Sequence, residues 1–204
     1  MNLIIKQKSP NCLKILNEDD KNTYKNLKGN CRKEVLESLK SEQNNICAYC
    51  DRKMKTVQIE HYIPQTKNPE LQLDYNNFLG VCFGMFFFDR KNNVGVKYCE
   101  SHRGNQDLKF DPKEKTHIDS IYFDSEGFVK STDSTIQKNF DTILNLNFEE
   151  LREERISNFV KESDNLAAFC SEFNIDKKNG ILRMLKLFED RSHKRFLTEK
   201  FKNL

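Results

Sequence analysis

The sequence predicts an α+β protein in which a small strand-and-metal module lies between N-terminal helices and a helical C-terminal region. Three observations predict it. Cys47 and Cys50 stand at knuckle spacing in NICAYC, and Cys82 and Cys99 form a second, split pair. Residues 56–62, TVQIEHY, alternate in polarity and are rich in β-formers, so they read as a strand. In the last third of the chain, Phe148, Leu151, Arg155, Phe159 and Leu166 recur at spacings near three and four, as do Ile181, Leu185 and Phe188.

The chain has 204 residues, 37% apolar and 32% charged, which suits one domain of ordinary size or two small ones with a modest core. Three stretches organise it: 1–45 with a strand and helices, 46–115 with the cysteine module, and 116–204 with a hairpin and helices, expected as one compact unit. No apolar run approaches the ~20 residues that span a membrane, and MNLIIKQKSPNC lacks the apolar stretch and cleavage site of a signal peptide. A cytoplasmic protein without a membrane partner is therefore expected. In that compartment thiols stay reduced and C-x-x-C marks metal more often than disulfide. The net charge is +3, but residues 1–59 carry 12 Lys and Arg against 7 Asp and Glu. This basic third suits either phosphate binding or a solvated helix face.

Taken in order, LIIK at 3–6 reads as a short strand ended by Pro10. Residues 20–43 read as helix, capped by Asp19 or Asp20 and divided at Gly29-Asn30. The strand 56–62 follows, and Pro64 and Pro69 bound a loop. FLGVC is a short apolar stretch. The insert 83–98 reads as a Phe-rich hairpin turning at Asn92-Asn93 and Gly95. ESHRGNQDL starts a helix. Residues 118–130 form a hairpin around Ser125-Glu126-Gly127. Helices cover roughly 133–146, 148–173 and 178–203.

The chemistry concentrates between the cysteines. A C-x-x-C turn supplies two of the four ligands that zinc takes. The sixteen residues between Cys82 and Cys99 leave their spacing open to a second reading, as buried core cysteines. Cys12, Cys31 and Cys170 have no partners at ligand spacing and read as small core residues. Glu60 and His61 are neighbours on a strand and point to opposite sides. A carboxylate suits a hard cation such as Mg²⁺, and an imidazole titrates near neutral pH and suits a general base. Asn77 has a donor and an acceptor with which to pin the loop after that strand. In CESHRGN, Glu100 or His102 is a further metal ligand and Arg103 a fork of donors for phosphate, against the alternative of a polar first helical turn.

Together these residues resemble the HNH endonuclease superfamily. Cys47, Cys50, Glu60, His61, Asn77, Cys82 and Cys99 match its pattern of a C-x-x-C, a D/E-H strand, a middle Asn and a second cysteine pair. SEQNNICAYC, IEHYIP, LDYNNFLGVC and CESHRGN are similar to motifs of the HNH nucleases of retron and Septu anti-phage systems (PtuB-like) over roughly residues 3–160. The resemblance implies a ββα-metal core, with structural Zn²⁺ on Cys47, Cys50, Cys82 and Cys99. It implies catalytic Mg²⁺ or Mn²⁺ on Glu60 with Glu100 or His102, His61 as general base and Asn77 as the middle Asn. The residue after Cys99 departs from the pattern, which has Asn or His there.

The implied activity is hydrolysis of phosphodiester bonds, in DNA or alternatively in RNA or tRNA. The implied setting is anti-phage defence beside an SMC/ABC-like ATPase and, in retron systems, a reverse transcriptase with its RNA–DNA product. The alternative is a zinc-containing module that binds nucleic acid or a partner without catalysis.

Overall fold

The computed structural model describes residues 1–89, 91, 94–188 and 191–204, leaving aside the side chains of residues 87 and 89. It is a mixed α+β structure with small antiparallel sheets. Helices α1 (Asn11–Asn17) and α2 (Gly29–Glu42) open the chain. LIIK makes no strand; Ile4 instead donates its amide to Pro112 O at 2.9 Å, so the segment is tied to a loop rather than to a ladder. The region expected as helix from residue 20 holds only a turn at Tyr24–Asn26 before α2. Cys12 and Cys31 correct their reading as lone core residues: they form a disulfide that ties α1 to α2, with Cα atoms 5.6 Å apart. Leu13, Leu27, Val35 and Leu39 form a buried cluster around this staple, together with Leu73, Tyr75 and Phe78.

Helix α2 ends where Asn44 and Asn45 take left-handed backbone angles, a conformation Asn tolerates better than most residues. The knuckle follows at once, closed by Cys47 N donating to Arg52 O at 2.9 Å. Strand β1 (Gln58–His61) pairs with β2 (Phe78–Val81) in antiparallel register, Glu60 opposite Leu79 and His61 opposite Phe78. Gln43 is buried and links three elements. Its side chain donates to Ile46 O at 2.9 Å and Gly80 O at 2.8 Å, and accepts from Gly80 N at 2.7 Å.

The insert after Cys82 is a hairpin of β3 (Met85–Asp89) and β4 (Val94–Lys97). Its expected turn at Asn92-Asn93 lies outside the described residues. The base of the hairpin is pinched where Tyr98 N donates to Gly84 O at 2.9 Å. A Cβ on Gly84 would lie 1.9 Å from Tyr98 O, so only glycine permits this approach. The pinch returns the chain to Cys99 and α3 (Glu100–Arg103).

Helix α4 (Lys115–Asp119) takes up the start of the expected hairpin at 118–130, leaving β5 (Ile121–Phe123) paired with β6 (Val129–Ser131). Then come α5 (Ser134–Lys138), capped by Asp133, a wider helical turn at Asn139–Ile143, and α6 (Glu149–Glu172). The helix expected at 178–203 is two, α7 (Lys177–Lys186) and α8 (Lys194–Lys202). The division has a local cause. His193 is left-handed at φ 58°, and its amide donates to Asp51 O while Arg195 N donates to Asp51 Oδ2 at 2.8 Å. The last helix is thereby anchored to the residue after Cys50. Buried Arg155 ties α6 to the β5–β6 hairpin through Gly127 O at 2.7 Å and Leu146 O at 2.9 Å. Among the described residues, no helix is long and apolar enough to cross a membrane.

Candidate metal centre and the adjoining polar site

Three sequence-distant elements deliver four sulfurs to one point. Cys47 and Cys50 come from the knuckle, Cys82 follows β2, and Cys99 precedes α3. All four are buried, with their Sγ atoms within 4.8 Å of one another. The Cys47–Cys99 and Cys50–Cys82 pairs are 3.4 and 3.5 Å apart. A zinc ion with ~2.3 Å bonds to tetrahedral sulfurs sets their separation at about 3.8 Å, so the spacing and the chemistry of this donor set fit a metal such as zinc. Cys82 N also donates to Cys47 Sγ at 3.4 Å. Burial works against charge on Cys47, yet the neighbouring thiols and the Cys50 amide draw its pKa well down. Cys82 is pushed up, first by its hydrogen bond to Cys47, and Cys99 by burial. On their own the sulfurs do not all ionise; a divalent cation is what makes four thiolates compatible with a dry site.

The polar site begins one strand away. Glu60 and His61 point to opposite sides of β1. On one side Glu60 Oε1 accepts from Arg103, with Tyr49 Oη 3.5 Å away. Burial pushes Glu60 up to about 7, against the pull of Arg103 and with a further push from nearby Glu100. The desolvation outweighs the ion pair here because the carboxylate is only 17% exposed.

On the other side, the His61 ring packs edge-on against Tyr24 and Phe78, with centroids 4.7 and 4.9 Å away. Gln65 Nε2 lies 3.2 Å from its Nδ1, and Gln72 O lies 3.0 Å from its Nε2. An amide nitrogen donates, so Nδ1 accepts and Nε2 carries the proton that Gln72 O receives. Burial holds the His61 pKa below its ordinary 6.5, so the ring is neutral at neutral pH.

Asn77 pins the loop between the strands. Its Oδ1 accepts from Ile63 N at 2.7 Å, and its Nδ2 donates to Ile63 O at 3.0 Å and Leu71 O at 3.3 Å. Its backbone carbonyl accepts from Tyr62 N at 2.8 Å.

Arg103 corrects the expectation of an open phosphate fork. It is 1% exposed. It donates to Glu60, to Tyr49 Oη at 2.9 Å, to the carbonyls of His61 and Tyr62, and to Gln106 O. A guanidinium placed this way fastens α3 to the end of β1 and has no face left for substrate.

Glu100 Oε1 accepts from Ser101 Oγ at 2.7 Å. His102 Nδ1 donates to Ile143 O at 2.9 Å, which leaves Nε2 with its lone pair. The structure places Glu60 and Glu100 close enough to influence each other. It does not gather Glu60, Glu100 and His102 into one ligand group: the cysteine set is the one such group among the described residues.

Tyr49, Gln65, Gln72 and Tyr24 surround the site and were missed by sequence reasoning. Only Gln65, four residues after His61, carried a spacing signal. Set against known proteins, the chain matches no family model and no curated sequence.

Proposed function

We propose that the chain is a metal-dependent endonuclease of the HNH type, cleaving phosphodiester bonds of nucleic acid as the effector of a bacterial anti-phage defence system with an ATPase partner. The reading rests on one observation: a Glu-His strand end, fixed by the pinned Asn77 loop, lies beside a four-sulfur centre whose last cysteine opens a helix packed against Glu60. In this reading β1, β2 and α3 form the ββα core, and zinc on the four cysteines is scaffold.

His61 supplies the base. Gln72 O holds the Nε2 proton, so Nδ1 is the acceptor, and a water in place of the Gln65 amide would give its proton there. Glu60, whose Oε2 takes no hydrogen bond among the described residues, would hold Mg²⁺ or Mn²⁺ together with Glu100 or His102. Mg²⁺ keeps several waters and needs only one or two carboxylates. When bound it would stabilise charge on the phosphate and the leaving oxygen. Arg103 would orient Glu60 and the His61 backbone.

Supercoiled plasmid incubated with Mg²⁺ or Mn²⁺, with and without the ATPase, tests the proposal. Nicking should fall on the order of 10²–10⁴-fold in His61→Ala while zinc content stays unchanged; full activity in that variant would remove His61 from the mechanism. A zinc module that binds without catalysis is favoured by a separate observation. His61 is only 7% exposed, and Glu60 is already paired with Arg103. No nicking under any condition would select that second reading.

A further inference from the structure

Helix α7 is apolar a little beyond the stripe that faces its own core. Met184 is buried against the C-terminal cluster of Leu166, Phe188, Leu197 and Phe201. Ile181 and Leu185, half-buried, pack against the same cluster, and beside them Leu182 is 53% exposed. A helix that is apolar beyond the stripe its own core needs has a second surface to cover. These residues line a cleft of about 490 Å³ between α7 and α8, in which Phe201 also takes part and Lys177 and Lys202 stand at the edge.

The charged side chains that line this cleft, Lys177, Lys178 and Lys202, are all basic. Helix α7 carries Lys177, Lys178, Arg183 and Lys186 and no acid. Helix α8 carries Lys194, Lys200 and Lys202 besides the mutually paired Arg195 and Glu199, 2.8 Å apart. Residues 116–204 as a whole have more acids than bases, 16 against 14, so these two helices gather the positive charge of an otherwise acidic region.

We propose that the cleft between α7 and α8 docks an amphipathic helix of a partner protein, with apolar residues toward Leu182 and Leu185 and acidic residues toward the lysines. The concave shape suits a helix rather than a membrane surface, which binds protruding apolar faces. The apolar lining gives the bases and sugars of nucleic acid nothing to hydrogen-bond. The ten residues of α7 span about 15 Å, room for roughly three turns of a guest helix. This inference does not depend on the nuclease reading.

The test uses the full chain and a fluorescein-labelled amphipathic peptide of about 14 residues, with Leu at i, i+3, i+4 and i+7 and Glu elsewhere. Anisotropy should show saturable binding that weakens with salt. Leu182→Glu, at an exposed position, should weaken it at least tenfold with an unchanged circular dichroism spectrum. Lys177→Glu with Lys178→Glu should weaken it several-fold and flatten the salt dependence. The same peptide with Lys in place of Glu should not bind. Absence of saturable binding overturns the proposal, as does equal binding by the Lys peptide or by Leu182→Glu. So does self-association of the protein that Leu182→Glu abolishes, which would give the cleft to a second copy. Leu182-dependent binding to vesicles with about one-third anionic lipid, without peptide binding, would give it to a membrane.

Discussion

The sulfur centre and the polar site are neighbours, yet they are organised in opposite ways. The four cysteines point inward at one another, and the protein gives them almost no other partners. Glu60, His61, Asn77 and Arg103 point into a web of carbonyls, amides and a phenol that satisfies nearly every donor and acceptor. The first region has four donors assembled that fit a metal such as zinc. The second satisfies its groups within the protein; in the nuclease reading proposed above it must surrender a contact, such as that of Gln65 with His61, before it does chemistry. The contrast can be attacked from either side.

The largest effect should come from the sulfurs. Cys99→Ser should abolish stoichiometric zinc and cooperative unfolding, because a structural zinc contributes on the order of 10 kcal/mol at neutral pH. Metal analysis and thermal denaturation measure both; a well-folded, metal-free variant would show that the centre does not hold the module together.

Next is the ion pair inside the polar site. Arg103→Met leaves Glu60 buried without its cation, and breaking such a pair costs about 3–5 kcal/mol. Urea denaturation should register that loss with zinc still bound. A loss of zinc instead would mean that the two regions are one cooperative unit.

The disulfide comes third. Opening the Cys12–Cys31 link, which spans 19 residues, should cost about 3 kcal/mol. It should also loosen Tyr24, which packs on His61. Parallel denaturation curves with and without reductant, or with Cys12→Ser, would read the first effect. A faster modification of His61 by diethyl pyrocarbonate would read the second. An unchanged midpoint would mean that the buried cluster of Leu13, Leu27 and Val35 holds the helices unaided.

The smallest effect is that of pH. Burial lowers His61 and also His193, whose pairing with Glu154 opposes the shift. The unfolded chain then binds more protons than the folded one, so stability falls as pH drops below about 6.5. Glu60, raised to about 7 from 4.5, acts in the opposite sense between those values, so the measurement belongs in a Glu60→Gln background. A urea midpoint there that rises between pH 7 and 5.5 would contradict the assignment.

Much of the frame was legible in the chain. The alternation in TVQIEHY marked β1, and turn residues marked both the 83–98 insert and the later hairpin. Knuckle spacing marked Cys47 and Cys50. What was hidden depends on three-dimensional return. Sixteen residues separate Cys82 from Cys99, and only the hairpin pinch brings them together. Nothing local pairs Cys12 with Cys31, because the link closes through helix packing. Arg103 looked like a surface fork because the polar motif around it resembles a helix start, while its burial depends on Tyr49 and Glu60 from other elements. The break before α8 depends on a contact with Asp51, more than a hundred residues away in sequence.

The pinch between Gly84 and Tyr98 gives the aromatic hairpin a fixed root. Beyond that root Phe86 packs on Phe148, with ring centroids 6.0 Å apart, so the buried side of the hairpin is held by the core and its solvent side is free to vary. Val94, 53% exposed on β4, is therefore a position where a fluorophore can be carried without touching the root of the hairpin or either terminus.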